Sequence, residues 1–116
     1  MPDPIGYRRW AIAEGRLRDG GSETACILNA SDDDANVALT VYYADREPTG
    51  PYLVRVPARR TLHLRLDELD DPEPIEHDRD YASVLESDVP VVVQYSRVEP
   101  CEGDASQLTT IAYAGD

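Results

Sequence analysis

The chain has 116 residues, a formal net charge of −12, and 41% hydrophobic against 29% charged side chains. That is the size and balance of one globular domain, 1–116, long enough for a core of its own. The acidity argues against general nucleic-acid binding, because a phosphate backbone would repel most of this surface, and no apolar run approaches the roughly 18 residues needed to span a bilayer.

The N-terminus, "MPDPIGYRRW", sets two prolines and an acid ahead of its arginines, with no apolar stretch behind them. It does not read as a signal peptide, and a cytoplasmic location is expected. From there the period is that of strands. "RRWAIAEG" alternates around Trp10, Ile12 and Glu14. "DGGSE" reads as a hairpin turn. "TACILN" is a short apolar run that makes Cys26 a buried thiol. "ASDDDAN" is turn chemistry, with Asp and Asn bonding their own backbone. "NVALTVYYA" puts Val37, Leu39, Val41 and Tyr43 on one face and Ala38, Thr40 and Tyr42 on the other. "YLVRV" follows the loop "DREPTGP", and "RTLHLRL" alternates cleanly. A short helix is expected around "LDELDD", capped by Asp67 and ended by Pro72. The longest irregular segment, "DELDDPEPIEHDRD", is of a length often used for function. "YASVLES", "VPVVVQYSRV" and "LTTIAYA" complete about eight short strands, so the expected class is all-β, an antiparallel β-sandwich. Cys101, in the loop "EPCEGD", is expected to be exposed and free in a reducing compartment.

All 11 basic side chains are arginines. Five positive or titratable groups crowd into "RVPARRTLHLRL": Arg55, Arg59, Arg60, His63 and Arg65. On a strand, Leu62, Leu64 and Leu66 face a core, while Thr61, His63 and Arg65 face away, with Arg59 continuing that line if the strand starts early. The stripe is either a solvated face paired to local acids or a recognition face, for which the planar guanidinium suits carboxylate or phosphate.

Signals for chemistry are weak. His77 sits beside Asp78 and near Asp80, but no ligand-spacing motif joins it to His63, and neither a metal nor a cofactor is expected. Ser83 and Ser96 lack a nucleophile elbow, and no glycine loop cradles phosphate. An enzyme is not expected. Trp10 is either core or a stacking platform; Glu14 shares its face and can pair with Arg59 or Arg60. Gln94, flanked by Tyr95 and Arg97, needs a hydrogen-bond partner if it points inward.

The blocks "WAIAEG", "CILNA", "VYYADREPTGPY", "VPARRTLHLRL", "LDDPEPIEHDRDYAS", "VPVVVQYSR" and "TIAYA", in this order, resemble the sensory rhodopsin transducer family from about Gly6 to Ala114. The loop "RLRDGGSE" is short for that family, and the chain stops at Gly115-Asp116 with no flexible tail. The resemblance implies a small soluble β-sandwich, a four-fold homotetramer, and a cytoplasmic partner for a membrane-embedded retinal photoreceptor. The rival reading is a module binding a sugar or an anionic metabolite, with no photoreceptor. The candidate ligand- or partner-binding residues are Trp10, Glu14, Asn29, Arg59, Arg60, His63, Arg65, His77, Asp78, Gln94 and Arg97.

Overall fold

The structure, a computed structural model, describes residues 5–100 and 105–115. Eight strands follow in chain order: β1 (Tyr7–Ile12), β2 (Ser22–Asn29), β3 (Ala35–Tyr43), β4 (Thr49–Val56), β5 (Arg60–Arg65), β6 (Tyr81–Pro100), β7 (Ala105–Ile111) and β8 (Tyr113–Ala114). Every strand pairing is antiparallel. One path runs β4-β3-β6-β1-β8; a second set, β5-β2-β6-β7, branches from the same β6. The sheet is therefore folded into two layers, the all-β antiparallel architecture that the alternating pattern predicts, and the two layers share one strand.

The shared strand differs from expectation in an instructive way. "YASVLES" and "VPVVVQYSRV" read as two strands separated near Pro90, yet they form a single strand of 20 residues. Proline cannot donate to a ladder. Here β3 stops pairing with β6 at Ser87, and β2 starts at Val92. Pro90 falls in that gap between partners, where its missing N–H is not needed. Conversely, "LTTIAYA" is two strands. β7 stays on β6 up to Ile111, and β8 crosses to β1, pairing Ala11 with Tyr113.

Inward positions follow the period of two along β2, β3 and β6. Val37, Leu39 and Val41 on β3, Ala25 and Ile27 on β2, and Leu85, Val91, Val93 and Tyr95 on β6 are all buried in one cluster with Trp10, Ile12 and Tyr52. The inward parity of β6 is unbroken from Tyr81 to Tyr95, so one strand feeds both layers of the same core. Each fully buried aliphatic side chain contributes about 1.5–3 kcal/mol by leaving water.

Two turn assignments change. "DGGSE" does form a turn, with Gly20 at φ 80° and Gly21 N–H donating to the Arg18 carbonyl at 3.0 Å. It is not a hairpin, because β1 and β2 enter different layers. The expected helix is a single 3-10 turn, Leu66–Glu68, without a side-chain cap. Asp67 lies inside that turn. Its carboxylate accepts from the Arg65 guanidinium at 3.0 and 2.7 Å and from the Glu23 N–H at 3.4 Å. Cys101 lies outside the described residues.

Candidate functional site

The arginine stretch begins at a corner where the chain leaves one layer for the other. Asn29 is wholly buried beneath it. Its amide nitrogen donates to the carbonyls of Asp33 (2.8 Å), Val56 (3.0 Å) and Pro57 (3.3 Å), and its oxygen accepts from the N–H and hydroxyl of Ser31 (3.0 and 2.7 Å). Ala58 N–H donates to the Asp34 carboxylate at 2.9 Å, and Arg59 N–H to the Ser31 carbonyl at 3.1 Å. Arg59 is left-handed, at φ 55°, so it belongs to the corner and does not extend the β5 stripe. A non-glycine residue there carries about 1–2 kcal/mol of strain, which the corner's hydrogen bonds hold in place.

This corner answers why an acidic chain concentrates its arginines. Arg55 pairs with Asp34 at 3.2 Å, Arg59 with Asp32 at 3.8 Å, and Arg65 with Asp67 at 2.7 Å. The two pairs to the "SDDDA" loop are exposed and each worth at most about 1 kcal/mol, whereas Asp67, in the 3-10 turn, has its side chain only 15% exposed. Arg60 differs: among the described residues its guanidinium meets only the Arg59 carbonyl, at 3.0 Å. Thr61, His63 and Arg65 point outward and Leu62, Leu64 and Leu66 inward, as the alternation predicts.

A second polar centre surrounds Arg97. Its Nε lies 3.2 Å from Glu23 Oε2 and donates to the Tyr95 hydroxyl at 3.1 Å; its terminal nitrogens meet Glu14 and, at 3.2 Å, Glu99. Glu23 is the buried member, with its side chain 2% exposed. It also accepts from the Arg16 N–H at 2.9 Å and from the Tyr81 hydroxyl. Burial, reinforced by the Glu23 charge, raises the pKa of both Tyr81 and Tyr95. Burial alone would lower that of Arg97, but hydrogen bonds with Glu14 and Tyr95 and the charge of Glu23 outweigh it, and the net shift is upward. The centre is packed shut: the Tyr81 ring lies over Gly15, where a Cβ would sit 2.6 Å from Tyr81 Cζ.

The other candidates disperse. Trp10 is core, 4% exposed, with its indole N–H donating to the Tyr7 and Val91 carbonyls at 3.0 and 2.9 Å. Glu14 pairs with Arg97, not with Arg59 or Arg60. His77 forms a short parallel bridge to Leu17, with Nδ1 3.3 Å from Asp19. Asp78, left-handed at φ 58°, donates its N–H to the Leu17 carbonyl at 2.8 Å. His63 and Gln94 flank Cys26 on the outer face of β5-β2-β6; Cys26 is therefore half-buried and not in the core as its apolar run suggests, because alternation sends Ala25 and Ile27 inward and the residue between them outward. Trp10, Glu14, Arg59, Arg60, His63 and Gln94 thus do not line one cavity among the described residues, and no three His, Cys, Asp or Glu side chains converge there.

The family pattern described as "Anabaena sensory rhodopsin transducer" matches residues 5–114. The chain belongs to that family. A solved structure of the Anabaena sensory rhodopsin transducer is 56% identical over 82% of this chain and 99% of its own, with a TM-score of 0.77. A Thermotoga maritima protein of known structure is 32% identical over 95% of this chain and 96% of its own, with a TM-score of 0.84. No curated protein shows a significant match. In this member of the transducer family, the residues that sequence reasoning missed are Glu23, Tyr81 and Tyr95. The signal was available: Glu23 shares the inward parity of Ala25 and Ile27, as Tyr81 does that of Ser83 and Leu85. Charge at position 23 and hydroxyls at 81 and 95 masked it. No helix among the described residues is long and apolar enough to cross a membrane.

Proposed function

We propose that this protein is a non-enzymatic signal transducer of the cytoplasm, a soluble homotetramer that docks on the cytoplasmic face of a membrane-embedded retinal photoreceptor. The observation that carries the reading is 56% identity, over 99% of its length, to a protein named as a sensory rhodopsin transducer. Charge supports it. Cytoplasmic loops of membrane proteins carry excess Lys and Arg, and this chain carries −12. In the segment between β5 and β6, Glu68, Asp70, Asp71 and Asp78 form no ion pair among the described residues. They are the proposed docking carboxylates. Arg59 and Arg60, exposed on their hydrogen-bonded corner, are the proposed contact to a carboxylate of a neighbouring subunit.

The test is capture of the tagged protein from its own solubilised membranes, in light and in darkness. The expected result is recovery of a seven-helix retinal protein with light-dependent yield, weakened by Glu68→Lys/Asp70→Lys/Asp71→Lys together with its salt dependence. Equal affinity in that triple variant removes this segment from the docking surface, and recovery of no membrane protein removes the photoreceptor. Light scattering that returns the 12.9 kDa mass of one chain contradicts the tetramer.

A further inference from the structure

The outer face of β5-β2-β6-β7 carries no carboxylate among its described side chains, in a chain with 23 of them. Across its middle runs one register row. His63 on β5 stands opposite Cys26 on β2, and Cys26 stands opposite Gln94 on β6. All three project to the same side, since their neighbours Ala25, Ile27, Val93 and Tyr95 are buried and Leu62 and Leu64 pack on the core. Cβ atoms of directly opposed residues lie about 4.5–5.5 Å apart. An imidazole, a thiol and an amide oxygen are thus held at adjacent-strand spacing on a rigid ladder.

We infer that this row is a binding site for a borderline divalent ion of the zinc type. The ion would sit over Cys26, with the imidazole of His63 on one side, the amide oxygen of Gln94 on the other, and an open fourth position. The donor set selects the ion: thiolate and imidazole suit zinc-like ions, whereas calcium and magnesium need oxygen ligands, which this face lacks as carboxylates. A metal–sulfur distance near 2.3 Å leaves the ion within reach of side chains on both neighbouring strands. Among the described residues none of the three side chains makes a hydrogen bond, so their heads are available. The one formal charge nearby, Arg65, is held by Asp67 at 3.0 and 2.7 Å. Binding releases one proton: Cys26–SH and the dication give the Cys26 thiolate–metal bond and H⁺. This is not a His77 site; His77 stands with Leu17 and Asp19.

The experiment is titration of the reduced full chain with Co²⁺, read by thiolate-to-cobalt charge-transfer absorption and by displacement with Zn²⁺. One ion per chain is expected. Cys26→Ser should abolish the band, His63→Ala weaken the apparent affinity at least tenfold and Gln94→Ala severalfold, while Cys101→Ser leaves both unchanged. His63 and Gln94 are exposed and Cys26 is half-buried, and unaltered Trp10 fluorescence in each variant verifies folding. The inference is overturned by absence of the band, by its loss in Cys101→Ser, by unchanged affinity in His63→Ala, or by one ion per two chains.

Discussion

Replacing Arg97 with methionine isolates the buried carboxylate at Glu23. Arg97 meets three carboxylates, but Glu14 and Glu99 are 65% and 39% exposed, and each such pair is worth at most about 1 kcal/mol. Glu23 is 2% exposed and has nowhere to rehydrate. Breaking a buried pair by removing one partner costs about 3–5 kcal/mol. The Tyr81 hydroxyl and Arg16 N–H remain as donors, so the low end applies, about 3 kcal/mol. For a domain of this size that lowers Tm by about 10–15 °C. The assay is denaturant unfolding followed by Trp10, the one tryptophan, at a fixed protein concentration because assembly would stabilise by mass action. The double variant Arg97→Met/Glu23→Gln should regain at least half of the loss, since it leaves no buried charge. A single variant within about 1 kcal/mol of the parent, or a double variant no better than the single, would refute the reasoning.

Asn29→Ala should destabilise by about 2–4 kcal/mol, since it strips a buried amide from the Val56, Pro57 and Asp33 carbonyls. Asn29→Asp should be no milder, because it aims a carboxylate at those same carbonyls; thermal melts of the two variants give the comparison. Gly15→Ala should displace the Tyr81 ring, 2.6 Å from the added Cβ, and cost about 2 kcal/mol or more, read as an earlier urea midpoint. Stability should also fall in alkali. Burial above all, with Tyr43 and Glu73 nearby, pushes the Tyr52 hydroxyl up to about 12. A raised folded-state value stabilises fully below the unfolded value near 10 and is lost as pH climbs from 10 through 12, at most about 2–3 kcal/mol for two units. Melts between pH 9 and 12 measure it, and Tyr52→Phe should remove only its own part of the slope, because Tyr81 and Tyr95, also raised by burial, supply the rest.

Much of the fold was legible because an inward-outward period survives in the letters. Val37, Leu39 and Val41 name a buried face without help. Pro90 misled because its tolerance depends on which neighbours have stopped pairing, a fact of three strands rather than one. Trp10 as core and the outward stripe of β5 follow from alternation. The partners of Arg97 do not, since Glu23 and Glu14 reach it only after β2 and β1 have both paired with β6. Arg59 escaped for a different reason. Nothing in "PARR" announces a left-handed residue until Ser31 and Asn29 close the corner beneath it.

The shared strand also sets an order of events. β1 finds its main partner only at Ser83–Val91, more than seventy residues downstream. β2 and β3 likewise wait for β6 to complete their pairings, leaving only β3 with β4 and β2 with β5 to meet earlier. During synthesis the first eighty residues can therefore form isolated ribbons but neither finished layer. Such distant pairings make folding slow, and until Tyr81–Pro100 leaves the ribosome the nascent chain exposes open strand edges, the surfaces on which unfinished sheets aggregate.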